Sequence, residues 1–186
     1  MKIEATALPD VYVLIPARFG DERGFFSESW NRKTLAEAGL ELPEFVQDNH
    51  SLSFRVGTVR GLHYQAPPFA QGKLVRCGRG TLLDVAVDAR RGSPTYGQWV
   101  TVELTPENGR QLWIPEGFLH GFVTQEPDTE IVYKCTAHYD RASDGAVLWS
   151  SLGIDWGVDD PLLSPKDRDA PAFADWTSPF EYKGAA

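Results

Sequence analysis

The chain is short of the residues that would announce disulfide, metal or redox chemistry. Its 186 residues include two cysteines, four histidines and one methionine. Cys77 and Cys135 form no CxxC pair, and a chain of this length builds a core without a disulfide framework. Both are read as small core residues. No apolar stretch approaches the roughly 18 residues of a membrane-spanning helix. The first ten residues, MKIEATALPD, lack the apolar centre of a secretion signal, so a cytoplasmic location is expected, with no membrane partner. Long basic runs are missing as well. Eighteen Lys and Arg against 26 Asp and Glu leave a net charge of −8, which repels nucleic-acid phosphates and argues against a general nucleic-acid binder. A small phosphorylated ligand needs only a few placed Arg or Lys. No GxGxxG fingerprint for a nicotinamide cofactor is present, and no internal repeat or low-complexity tract.

What is present is a succession of short β-rich runs. VYVLIP (11–16), EFVQDNHS (44–51), TVRGLHYQ (58–65), KLVRC (73–77), TLLDVAVD (81–88), QWVTVEL (98–104), QLWIP (111–115), GFVT (121–124) and EIVYKCTA (130–137) are separated by turn-forming clusters at 78–80, 91–94, 106–109 and 126–128. Many short strands at close spacing predict an all-β sandwich or barrel. One helix is expected over Lys33–Ala38, stopped by Gly39. The length suits one domain over 1–186. From about residue 153 a Pro- and Asp-rich tail begins, whose Trp156, Trp176, Phe180 and Tyr182 suit packing on the sandwich.

Two segments resemble the paired motifs of cupin jelly-roll barrels. The second reads Gly109, five residues, Pro115, one residue, Gly117, two residues, His120. The first has Gly57, five residues, then His63. A metal-binding cupin supplies a second His two positions on, where this chain has Gln65, and an acidic ligand soon after, where it reads APPFAQG (66–72). Two His without a carboxylate make a poor divalent-metal site. The expectation is a cupin-like jelly roll with no metal.

Among the histidines, His138 at a strand end is read as structural. His50, after Gln47, Asp48 and Asn49, is either a capped strand end or part of a ligand-reading edge. His63 and His120 sit beside Gly61, Gly117 and Gly121 in apolar β context, where a ligand can approach the backbone. Strict alternation places Val59, Gly61, His63 and Gln65 on one face and Arg60 on the other; Arg60 and His63 can share a pocket only if the strand bulges near Gly61. Alternation also groups Ile131, Tyr133 and Cys135 inward. Tyr133 is then a hydrogen-bonded core residue or, if it shares a cavity with His63, a proton donor.

These stretches resemble the dTDP-4-dehydrorhamnose 3,5-epimerase family almost end to end. The matching segments are FGDERGFFSESWN (19–31), FVQDNHS (45–51), VRGLHYQ (59–65), QGKLVRC (71–77), DVAVDARRGSPTYGQW (84–99), RQLWIPEGFLHGF (110–122), Tyr133–Lys134 and DPLLSPKD (160–167). The resemblance implies His63 as general base, Asp167 holding its imidazole, Tyr133 as the acid on the opposite sugar face, and Lys73 stabilising an enolate. It implies that Arg23, Glu28, Gln47, Asn49, Arg60, His120 and Lys166 contact the substrate, dTDP-4-keto-6-deoxyglucose. It further implies a homodimer in which the N-terminal strand and the Arg23–Glu28 stretch reach the neighbouring subunit, and no cofactor. A Glu expected in the loop after Tyr139 is Ala142 here, with Asp144 two residues on.

That chemistry suits those residue types. Hydrogens on C3 and C5 are acidic only through the C4 ketone, so a base titrating near neutrality is needed. A carboxylate fixes its tautomer, and a preorganised cation meets the enolate oxygen. Arg23 and Arg60 suit the diphosphate, and Phe26 or Tyr139 the thymine. Rival readings are a 3-only or 5-only epimerase, which would share His63, Tyr133 and Lys73; a metal-dependent cupin oxygenase, disfavoured by Gln65; and a non-catalytic sugar-nucleotide-binding cupin, which would be expected to lose the base or the acid.

Overall fold

In a computed structural model, which describes residues 1–184, thirteen strands form two facing antiparallel sheets and a separate hairpin. The strands are β1 Lys2–Ala5, β2 Tyr12–Ile15, β3 Arg18–Asp21, β4 Gly24–Ser27, β5 Gln47–Ser53, β6 Val59–Gln65, β7 Lys73–Arg79, β8 Leu82–Asp88, β9 Trp99–Leu104, β10 Gln111–Ile114, β11 Phe118–Thr124, β12 Thr129–Cys135 and β13 Asp144–Ala146. One sheet runs β1-β2-β10-β7-β12-β5, the other β13-β6-β11-β8-β9, and β3 pairs only with β4. The helices are short: α1 Arg32–Glu37, α2 Pro165–Arg168 and a single 3-10 turn at Phe173–Asp175. Sequence periodicity anticipated nine of the strands and α1 nearly in place. The expected turn at 78–80 instead begins later, because β7 extends through Arg79. No helix among the described residues is long and apolar enough to cross a membrane. The result is a cupin-like β-sandwich.

Period-two alternation explains how the sheets close on each other. On β7, Val75 and Cys77 turn inward while Leu74 packs outward beside Trp113; on β12, Ile131 and Tyr133 turn inward. These residues meet Leu82, Ala86, Val102, Leu104, Phe118 and Phe122 of the facing sheet. The outer face of that facing sheet is also covered. Val85, Val87, Leu119 and Val123 lie under the C-terminal segment, which buries Ile154, Trp156 and Phe180 there. Burial on both faces is why β8 reads as nearly continuous apolar sequence. Trp176 Nε1 donates to the Tyr64 hydroxyl at 3.0 Å, and Tyr182 and Phe180 exchange backbone hydrogen bonds with Arg91.

The strand bearing His63 departs from strict alternation. His120 stands opposite His63 and Phe122 opposite Arg60, so β6 spends three steps where β11 spends two. This is a β-bulge, centred on Gly61, whose φ is +133°. A Cβ there would lie 2.5 Å from Gly121 Cα and 2.9 Å from His120 O, so both strands need glycine at this crossing. The extra residue moves Leu62 and Tyr64 to the outer cluster with Val59, which leaves Arg60 and His63 on the inward side. The bulge that Arg60 and His63 required is present.

Candidate active site

At one end of the sandwich the inward positions change from apolar to polar and enclose a cavity of about 450 Å³. Its walls include His63 from β6, Lys73 from β7, Tyr133 from β12, Gln47 and Asn49 from β5, and Lys166 from α2. His63 and Tyr133 therefore stand on facing sheets, with the cavity between them.

His63 is held from behind. Its Nε2 donates to Asp167 Oδ1 at 2.5 Å, which leaves Nδ1 as the free nitrogen. The carboxylate comes from α2, where Ser164-Pro165-Lys166-Asp167 forms a capped helix start. Ser164 Oγ accepts from Asp167 N at 3.2 Å and donates to Asp167 Oδ2 at 2.7 Å, with Pro at the first helical position. Backbone bonds from Val59 N to Leu162 O and from Leu162 N to Gly57 O pin this segment along β6. Burial drives the Asp167 carboxyl up, but hydrogen bonds from His63, Ser164 and the Gly61 N–H outweigh it and hold the group below the usual carboxylate range.

Lys73 and Tyr133 face the cavity from the other sheet. Burial pulls the Lys73 ammonium down, against the opposing fields of Cys135, Asp144 and Asp84. Burial first, and then Cys135, push the Tyr133 phenol up, with Arg60 and Asn49 opposing, so the hydroxyl keeps its proton at neutral pH. Lys166 pairs with Asp144 at 2.5 Å, and Tyr139, whose hydroxyl contacts the same carboxylate at 3.4 Å, also lines the cavity.

Other residues singled out in the sequence lie elsewhere. Arg60 turns to the β5 edge, with Nε donating to Ser53 Oγ at 3.2 Å and a terminal nitrogen to Leu52 O at 3.3 Å. His120 is buried on β11 and does not line the cavity, its Nε2 donating to Asp84 Oδ1 at 2.7 Å. Arg23 is fully exposed on the β3–β4 hairpin and pairs with Asp21. Glu28 accepts from Asn31 and Thr34 at the start of α1. Phe26 is 70% exposed on the same hairpin. His50 pairs with Glu130 at 3.0 Å.

Two residues here escaped the sequence reading. Gln65, which stands where a metal-binding cupin has histidine, is a strap: its amide donates to His138 O at 2.9 Å and to Phe69 O, and its Oε1 accepts from Asp140 N at 2.8 Å. Asp84 partners His120 from the middle of an apolar run. Ser164, by contrast, carried a readable signal, since S-x-x-D is a capping pattern. Among the described residues no three His, Cys, Asp or Glu side chains converge in metal-ligating geometry.

A cupin-like sandwich whose cavity sets a carboxylate-held imidazole across from a tyrosine and a lysine has the groups that acid–base chemistry on a small ligand needs. The comparisons agree. The family model described as dTDP-4-dehydrorhamnose 3,5-epimerase matches residues 5–175. A Shigella flexneri protein of that name is 53% identical over 177 residues, covering 94% of this chain and 97% of the relative. The crystal structure of a Legionella pneumophila 3,5-epimerase in complex with dTDP-4-keto-L-rhamnose superposes with a TM-score of 0.91 at 43% identity, covering 98% of this chain and 99% of that one. A Streptomyces niveus dTDP-4-dehydrorhamnose 3-epimerase is 37% identical over 172 residues, 91% of this chain and 83% of the relative. The chain belongs to the dTDP-4-dehydrorhamnose 3,5-epimerase family.

Proposed function

We propose that this chain inverts both C3 and C5 of dTDP-4-dehydro-6-deoxy-D-glucose, giving dTDP-4-dehydro-L-rhamnose. The observation that carries the reading is the His63–Asp167 pair at 2.5 Å on one sheet with Tyr133 and Lys73 on the sheet across the cavity. His63 Nδ1 takes the proton from C3 or C5. The C–H electron pair becomes the C=C bond of an enolate, and the carbonyl π pair moves to the C4 oxygen. Lys73 stabilises that oxygen. The Tyr133 hydroxyl returns a proton to the carbon from the other ring face, and solvent takes the proton from His63 and restores the one on Tyr133. The sum is an isomerisation, with no electrons gained or lost and no cofactor called for.

Asp167 keeps the His63 proton on Nε2, as carboxylates do in His–Asp pairs generally. Gln47, Asn49 and Lys166 line the cavity and would hold the sugar nucleotide, with Arg60 at the β5 edge. Thymine stacking falls to Tyr139, which lines the cavity, rather than to Phe26 of the same chain.

Arg23 and Glu28 are assigned to the neighbouring copy's site. The hairpin that carries Arg23 exposes Phe19 and Phe25 by more than half their surface, a combination suited to docking on a second subunit. A homodimer acting in the cytoplasm completes the reading. The second reading, a 3-only epimerase, is disfavoured by the drop from 53% to 37% identity between relatives of the two kinds. Incubation with dTDP-4-keto-6-deoxyglucose in deuterated water tests both readings: label enters C3 and C5 for the 3,5-enzyme, and one carbon alone would contradict it.

A further inference from the structure

No step of the proposed reaction uses Gln65, yet it lines the cavity and is only 5% exposed. Its Nε2 donates to His138 O at 2.9 Å and to Phe69 O, and its Oε1 accepts from Asp140 N at 2.8 Å. The partners fix which way the amide points, since two are carbonyls and the third is an N–H. Both donors are engaged, and a glutamine amide has no third, so Gln65 has no N–H left for a ligand. Its bonds reach instead to the residues on either side of Tyr139.

Two more glutamines hold the same stretch of backbone. β12 ends at Cys135, and residues 138–140 belong to no strand or helix. Gln71 Nε2 donates to Ala137 O at 2.7 Å, and Gln47 Oε1 accepts from Tyr139 N at 2.9 Å. Successive backbone groups over 137–140 thus take side-chain partners in place of strand partners, from Gln47 on β5, Gln65 on β6 and Gln71 in the 66–72 loop. All three glutamines line the cavity. Core packing does not account for this grip, because Tyr139 is 57% exposed and belongs to none of the core clusters. A loop whose ring is unpacked gains little stability from so closely set a backbone. A ring that must stack on a ligand does need it, because stacking depends on the distance and tilt of the two planes.

We propose that Gln65 is a positioning residue for nucleotide recognition: it fixes the backbone on both sides of Tyr139 and so presets the ring on which the base stacks. This rests on reading Tyr139 as the stacking residue. Without the strap, the loop must be ordered when the nucleotide binds, which lowers affinity. The cost falls on binding rather than on turnover.

The test is Gln65→Met, which keeps the side chain's length and removes its amide, made alone and together with Tyr139→Ala. Calorimetry with dTDP gives affinity, turnover of dTDP-4-keto-6-deoxyglucose gives kcat and KM, and thermal melting reports the fold. Tyr139→Ala should weaken dTDP binding about tenfold or more, the scale of one base–aromatic stack. Gln65→Met should weaken it several-fold and raise KM to match, with kcat near wild type. Added to Tyr139→Ala, Gln65→Met should weaken dTDP binding no further, because the ring it positions is gone. A folded Gln65→Met variant with wild-type affinity overturns the proposal, as does an equal loss with and without the ring, or a fall in kcat at unchanged KM. Should Gln65→Met fail to melt cooperatively, amide hydrogen exchange in the unmutated, ligand-free protein decides. Protection of the Asp140 N–H supports the role, and exchange at the rate of an open loop overturns it. Tyr139→Ala that binds dTDP as wild type does removes the stacking reading and this role together, whereas a weakened Tyr139→Ala beside an indifferent Gln65→Met removes this role alone.

Discussion

The residues expected to serve one substrate fall into two regions of opposite character. Those assigned to the chemistry, His63, Lys73, Tyr133 and Asp167, stand inside or against the cavity, on strands and a capped turn braced by the sandwich core. Arg23, assigned to the nucleotide, stands on a two-stranded hairpin with no partner sheet and nearly every residue exposed. The first region has its geometry fixed by packing on both sides. The second has a charged and aromatic surface and is tied to its own chain at the root, where Arg18 donates to Glu107 O at 2.8 Å and to Pro106 O. Proton transfer demands sub-ångström placement and the exclusion of water, which a core supplies. Holding a diphosphate demands charge, which an arm can carry to a neighbouring copy.

The largest effect expected from that division is at His63. His63→Ala should lower epimerisation by about 10²- to 10⁴-fold or more, the usual worth of a positioned base, while dTDP binding measured by calorimetry stays near wild type. Deuterium exchange at C3 and C5 persisting at the wild-type rate in the folded variant would break the assignment.

Next comes the arm. Arg23→Ala should weaken dTDP binding measurably, through loss of a charge-assisted contact, and leave kcat at saturating substrate nearly unchanged. If the arm serves a neighbouring subunit, wild-type activity per chain should fall on dilution below the dimer dissociation constant, as followed by sedimentation. An Arg23→Ala enzyme with wild-type affinity would erase the contrast between the regions.

The smallest effect concerns stability. Asp167 is held below its ordinary pKa in the folded chain, so its contribution is fully present above the unfolded value of about 3.9 and is lost as pH falls through the folded value. Wild type should therefore lose melting temperature on acidification below about pH 4, and Asp167→Asn should lose less over the same window. Parallel curves for the two proteins would mean that the pair contributes nothing to acid stability.

Much of the first region could be read ahead of the fold because alternation survives there. Ile131, Tyr133 and Cys135 share a face in the sequence and in the sheet. The same pattern showed that Arg60 and His63 could meet only across a bulge, and Gly61 makes one. Where the local pattern was thin, reading failed. β1, KIEA, is polar and short; β3 and β4, RFGD and GFFS, contain glycine and bury almost nothing; β13 is three residues long. Partners that arrive from far along the chain leave no local trace either. Asp84 looks like an interruption in LLDVAVD until β11 brings His120 against it. Gln65 looked like a lost metal ligand until the 138–140 segment reached it.

If base and acid stand on opposite sides of the sugar, Tyr133→Phe should separate proton removal from proton return. The change removes one hydroxyl and keeps the ring that packs against the inter-sheet core, so the fold should tolerate it. NMR in deuterated water would follow label entering C3 and C5 of dTDP-4-keto-6-deoxyglucose, while a coupled reductase assay follows the L-sugar. Exchange should continue while inversion falls by about 10²- to 10⁴-fold. Exchange and inversion both at wild-type rates, or falling together, would contradict Tyr133 as the returning acid.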